Sequence, residues 1–226
     1  MRDTLVIGES KSTADVLFDK LHEEIVTLAI LPGSKISEAD VARRFGVSRQ
    51  PARDAFRRLH NLGLLEIRPQ RATVVRRFSL AEIESTRFIR LAVELEVLER
   101  ACQVWDQNRA DALAQNLDLQ VDALATNDIG RFHSIDYTFH RLICELSGLP
   151  GATDTINTCK RKVDRLCVLS LSDNENAGVL LDDHRAIAAA LADRSVQDAR
   201  ALLRLHISRL DRTIAEIHQT HSSYFQ

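Results

Sequence analysis

After Ser79 no stretch of this 226-residue chain reads as a β-strand. Apolar residues recur there at threes and fours, the repeat of an amphipathic helix. Gly148-Leu149-Pro150-Gly151 is the clearest break, and Ala192-Asp193-Arg194-Ser195 reads as a helix turn. Helices are expected over about 79–104, 108–125, 128–147, 152–171, 176–192 and 195–219, the first opened by the capping-box pair Ser79 and Glu82. Helices that carry one apolar stripe each can bury it only against one another. An all-helical bundle of six or seven helices is the consistent fold for residues 79–226.

The first third is built differently. Val16, Leu17, Leu21, Ile25 and Leu28 mark a helix that Ser12 or Thr13 can cap, and Leu31-Pro32-Gly33-Ser34 stops it. A second helix starts at Ser37, with Ala39, Val41, Ala42 and Phe45 inward. Gly46-Val47 turns the chain, and Ser48 is placed to cap a third helix that ends before Gly63. Leu64–Ile67 and Thr73–Val75 read as two short strands around Arg68-Pro69-Gln70-Arg71. Three helices and a β-hairpin make a winged helix-turn-helix over residues 1–78, with residues 1–11 a loose arm. The chain as a whole is mainly α.

Charge follows the same division. Residues 1–78 hold 14 Lys and Arg against 10 Asp and Glu, net +4, while residues 79–226 hold 16 against 22, net −6. A basic small part on an acidic larger one suits a nucleic-acid reader joined to a sensor. The four cysteines (Cys102, Cys144, Cys159, Cys167) lack CxxC spacing and read as buried free thiols of a reducing compartment. No apolar run reaches the length of a membrane span, and Met1-Arg2-Asp3-Thr4 does not begin a signal peptide. A cytoplasmic location is expected.

The third helix carries the DNA-reading chemistry. Arg49 and Arg53 are four apart, so both can face the major groove, where arginine reads guanine O6 and N7 in bidentate fashion. Gln50 can pair with adenine or a phosphate, and Ser48 can reach a phosphate while capping. Pro51 falls in the first turn, where a missing N–H costs nothing. Arg43, Arg57 and Arg71, with Arg44, Arg58 and Arg68, are candidate phosphate contacts or solvated charge. The segment from Ser37 to Ala55, with its Gly46-Val47-Ser48-Arg49 turn followed by Pro51 and Arg53, resembles the GntR family of bacterial transcription regulators. Leu59, Gly63-Leu64-Leu65 and Arg68-Pro69 fit the same family. The resemblance implies a homodimer on a pseudo-palindromic operator. Ala72 and Ala39 depart from the glycine and basic residue that members often carry there, so backbone and minor-groove contacts from the wing are not carried over.

In the helical part, Asp136 and His140 lie four apart on one face, and His184 and His206 follow 22 residues from each other. Three imidazoles and a carboxylate offer a divalent ion most of a coordination sphere, zinc first, with nickel, manganese or iron also admitted. Because Asp136 shares its face with Phe139, His140 and Ile143, it is expected to be partly buried, and costly there unless paired or metal-bound. His133 reads as exposed or supporting, and Cys144 as a weaker alternative ligand. Arg90-Leu91-Ala92-Val93-Glu94, Asp136 through His140, Ser147-Gly148, Asp183 through Ile187, and His206 together resemble the FCD type of GntR ligand domain. That resemblance implies the same four ligands and a small organic-acid effector. Arg90 would clamp the effector carboxylate, its alternative being a salt bridge to Glu94, with Arg165 and Arg161 as further candidates.

Three functions compete. The favoured one is a regulator, a repressor by default, whose operator affinity responds to a small carboxylate bound near the metal. The second drops the effector and makes the metal structural or itself the signal. The third is a metal-dependent hydrolase or lyase, for which only Glu145 and Glu175 offer a base, and in which the third helix would have no purpose.

Overall fold

The computed structural model describes residues 11–68, 71–170 and 174–226. Apart from Lys11, the arm expected over residues 1–11 lies outside the described residues, as do Pro69, Gln70 and the side chains of Cys167 and Glu175. The described chain divides into two units, residues 1–80 with 218–226, and residues 81–217.

The first unit starts with helix α1 (Thr13–Val26), whose N-terminus is closed by a reciprocal capping box between Ser12 and Asp15. Strand β1 (Lys35–Ile36) then leads into α2 (Glu38–Phe45), capped by the Ser37 hydroxyl on the Asp40 N–H. Gly46 ends α2 at φ +69°, a left-handed conformation that glycine adopts without Cβ strain. Helix α3 (Arg49–Asn61) follows at once. Ser48 stands at its N-cap position, but its hydroxyl makes no capping hydrogen bond, contrary to the capping role expected of it.

The wing is larger than a hairpin. Strands β2 (Leu65–Glu66) and β3 (Thr73–Val75) pair antiparallel, and β1 adds to the other side of β3, giving the order β1-β3-β2. A two-residue strand has no periodicity to read, which is why β1 was not expected from sequence. Leu17, Leu21, Ile25, Ala55, Phe56, Leu59 and Val75 form the buried centre of this unit. Its end is clasped by the tail. Phe78 donates its N–H to Tyr224 O (2.8 Å) and accepts from Gln226 N–H (3.0 Å), while its ring meets Phe225 at 5.3 Å. The domain expected over 79–226 therefore loses its last nine residues to the other unit, because backbone pairing with Phe78 satisfies polar groups that a frayed tail would leave to water.

The second unit consists, among the described residues, of α4 (Leu80–Val104), α5 (Gln107–Ala125), α6 (Ile129–Leu146), α7 (Ala152–Ser170), α8 (Asn174–Ala192) and α9 (Val196–Thr220). Each of these lies within two residues of its expected bounds. Leu95, Leu98, Ala101, Phe139, Ile143, Ile187, Leu191 and Leu203 bring α4, α6, α8 and α9 together in one apolar core. Phe132, Ala123 and Leu181 join α6, α5 and α8 in a second cluster. No described helix is long and apolar enough to cross a membrane.

Candidate functional site

Four buried side chains converge inside the helical unit. Asp136 and His140 come from α6, His184 from α8 and His206 from α9, and one ligand atom of each lies within 4.8 Å of the others. Amphipathic packing puts them there: Asp136, Phe139, His140 and Ile143 share the inward stripe of α6, as their spacing predicted.

Each imidazole has one nitrogen directed at an oxygen outside the cluster. His140 Nδ1 lies 2.8 Å from Glu94 Oε2, and His184 Nδ1 lies 2.8 Å from Gln120 Oε1. Gln120 spends its own amide N–H on Asn116 Oδ1 at 2.7 Å, so its oxygen accepts and His184 Nδ1–H donates. His206 Nδ1 faces Asp183 Oδ2 at 3.4 Å without a formed hydrogen bond, that oxygen being held by Arg209 at 2.5 Å. Outer oxygens of this kind hold metal-ligating histidines in one tautomer.

The inner nitrogens of His140 and His184 both face Asp136, and that of His140 also meets Arg90 Nη2 at 3.1 Å. His140 Nε2 stands 3.5 Å and His184 Nε2 3.4 Å from the same Asp136 oxygen, and His184 Nε2 is buried with no hydrogen-bond partner. Burial pushes the His184 imidazole down to about 3, so near neutral pH that nitrogen carries no proton to share. Burial lowers His206 likewise. The unbonded His184 nitrogen pointed at a carboxylate oxygen in a dry core is unfavourable unless a cation lies between them. The residues present therefore fit a divalent ion of the imidazole-preferring kind.

Lys160, which the sequence reading passed over, bonds Asp136 Oδ2 through its ammonium and lies 4.4 Å above the Tyr137 ring. It is 4 % exposed. Burial opposes the Asp136 charge, but the Lys160 ammonium together with His140 and His184 outweighs it and holds the carboxyl well below its ordinary value. Arg90 takes the salt bridge considered as its alternative, Nε to Glu94 Oε1 at 2.5 Å, and also places Nη2 3.1 Å from His140 Nε2. Glu94 stays charged in spite of burial because Arg90 and His140 flank it.

A cavity of about 90 Å³ opens beside the cluster. Arg90, His133, Asp136, Lys160, His206 and Arg209 give it its polar wall, and Val163, Ile207 and Leu210 part of its apolar one. Arg165 is buried on α7, yet it is not among the described residues lining the cavity. Five positions on from Lys160, it points about 140° away round the helix. Arg161 is exposed and bonded to Thr158. A lysine on the inward stripe with Ile156, Cys159 and Val163 was the signal that could have singled out Lys160. His133 is half-buried on the cavity wall, with its Nε2 buried and unbonded. Cys144 stays outside the cluster, and burial pushes its thiol up to about 11, unsuited to metal ligation.

In the first unit, Ser48, Arg49, Gln50 and Arg53 are all exposed where α3 begins. Arg53 touches Glu38 only at 3.4 Å, and Arg57 touches Asp54 at 3.5 Å, distances that hold neither side chain firmly. Arg43 is exposed and paired with Asp40, and Arg71 is exposed in the wing. Two other arginines serve the fold instead. Arg44 forks onto Glu24 at 2.7 and 2.9 Å, and Arg58 binds Asp15 at 2.8 Å and stacks over Phe18.

Both units have recognised counterparts. Residues 13–75 match the bacterial regulatory proteins of the gntR family, and residues 86–209 match the FCD domain. The chain belongs to the GntR family, in its FCD-bearing branch. It is a DNA-binding transcription regulator and not an enzyme, which sets the hydrolase or lyase reading aside. It is 34 % identical over 205 residues to the HTH-type transcriptional repressor RspR of Escherichia coli, covering 91 % of this chain and 90 % of that protein. A regulator from an unstable DNA locus of Streptomyces ambofaciens is 31 % identical over 191 residues, covering 84 % and 80 %. The solved structure of a GntR regulator from Rhodococcus sp. RHA1 superposes with a TM-score of 0.71 at 22 % identity, covering 91 % of this chain and 99 % of that one. That likeness concerns the fold.

Proposed function

We propose that this regulator is a repressor whose operator affinity is set by a small organic acid bound beside a divalent ion, zinc first, in the helical unit. The observation that carries the reading is the Asp136 oxygen faced at 3.4–3.5 Å by two imidazole nitrogens, that of His184 unbonded, with a cation-lined cavity alongside. Asp136, His140, His184 and His206 would hold the ion, and Glu94, Gln120 and Asp183 orient the imidazoles. The ion would supply electrostatic attraction for a carboxylate. Arg90 and Lys160, each already turned toward the cluster, give the acid charged hydrogen-bond donors. On the DNA side, Arg49, Gln50 and Arg53 read base edges, while Ser48, Arg43, Arg57 and Arg71 meet phosphates.

The operator is pseudo-palindromic and the working form a homodimer in the cytoplasm. Phe88 (74 % exposed) and Ile89 (46 %), with Ala92 and Val93 a turn further along α4, form an apolar strip suited to a second copy. An acid bound preferentially to one arrangement of the bundle would shift the dimer between operator-competent and incompetent forms.

The first test is metal content by mass spectrometry of the purified wild type and of a His140→Ala/His184→Ala variant. About one ion per chain, lost in the variant, is the expected outcome. An ion-free wild type that still binds operator DNA would overturn the metal-centred part. Complete burial of all four ligands also suits a closed structural or metal-sensing site without an organic effector. Under that reading chelation alone would change operator binding and no acid would alter it.

A further inference from the structure

The charges in and beside the cavity wall occur as pairs. Asp136 is matched by Lys160, Glu94 by Arg90 and Asp183 by Arg209. Three carboxylates stand against three side-chain cations, so before an ion enters this set is electrically balanced. Arg212, at the rim, is largely exposed and lies 3.8 Å from Glu216. A divalent ion on Asp136 and the histidines adds two positive charges to a balanced, dry set. Uncompensated charge in such a place is costly. Whatever anion shares the cavity removes that cost, and two negative charges remove it completely.

We propose that Lys160 sets the charge of the acid this cavity accepts, making the metal-loaded site select a dianion over a monoanion of the same shape. The inference rests on the acid-responsive reading above. Lys160 is the cation of the three that bonds the carboxylate among the candidate metal ligands, its ammonium lying on Asp136 Oδ2 while Oδ1 faces the imidazoles, whereas Arg90 meets His140 Nε2. Once an ion shares the Asp136 charge, the ammonium has surplus attraction for a second carboxylate at the cavity wall. Arg90 remains tied to Glu94, and Arg209 to Asp183 by two bonds. His133, with its buried and unbonded Nε2 on the same wall, offers a further polar contact. The cavity admits several water-sized groups, which limits the acid to a short chain.

The experiment is calorimetric titration of the zinc-loaded full chain with L-malate and with its half-amide malamate, which have one shape and differ by one charge. The wild type is expected to favour malate by about tenfold or more, the worth of one charge-assisted bond. Lys160→Gln, neutral and close in length, is expected to lose most of that preference, and Lys160→Arg to keep it. Metal content and far-UV circular dichroism run beside each titration show that the variants are loaded and folded. A wild type that binds both acids equally overturns the proposal without reference to any variant. So does an undiminished malate preference in folded, zinc-loaded Lys160→Gln, and either result leaves the acid-responsive regulator standing. Failure of both acids to bind the wild type overturns the proposal and the organic-acid reading together.

Discussion

His184 shows how much a single residue's surroundings matter. On a solvated helix it would be one more imidazole with an ordinary value of 6.5. Inside the bundle, with Gln120 on one nitrogen and nothing bonded to the other, its value falls to about 3. Between these values the unfolded chain takes up a proton that the folded chain refuses. Stability of the metal-free protein is therefore full above pH 6.5 and declines as pH falls toward 3, by at most roughly 1.4 kcal/mol per unit. Thermal melts of chelated protein across that range are expected to show the slope, and His184→Gln to flatten it. An equal slope in that variant would assign the effect elsewhere. Asp136, His140, His184 and His206 were legible in sequence because their residue types are unusual at inward positions. Lys160 was less so: its place on the inward stripe with Ile156, Cys159 and Val163 marks it, but a lysine there is ordinarily solvated, and Asp136 on α6 is what holds this one inside.

At the scale of elements, the arginines of the first unit separate into two kinds. Arg58 ties α3 to α1 through Asp15 and the Phe18 ring, with about two-fifths of the Arg58 and Asp15 side chains still exposed. Arg58→Ala should cost about 1 kcal/mol, discounted for that exposure, and lower the unit's melting temperature by roughly 4–8 °C. Arg53→Ala, by contrast, removes an exposed group and should leave melting almost unchanged while weakening operator binding by about 1–3 kcal/mol. Filter binding or anisotropy beside thermal melts separates the two effects, and a reversed pattern would contradict this division of roles. Sequence could not make it, since both residues are arginines on one helix and differ only in what α1 offers them. The same limit hid β1, whose two residues gain their identity from pairing with β3.

For the whole molecule, the balance of charge in the bundle makes metal removal a test of coupling. Stripping the ion with a chelator is expected to lower the melting temperature of the helical unit and abolish any acid response. Helical content should persist, because Lys160 still neutralises Asp136. Collapse of far-UV ellipticity on chelation would mean that the ion is structural. Helix positions, the bundle and the helix-turn-helix were legible in the sequence alone, because each follows from local periodicity, capping and turn chemistry, whereas the four-residue cluster was named from residue types and the resemblance to the FCD domain. Tertiary structure alone decided that Ser48 leaves its helix uncapped, that the tail pairs with Phe78, that Arg165 lies off the cavity and that Lys160 lies on it. These outcomes depend on which distant groups meet, and a linear pattern records a residue's own face but not the partner packed against it.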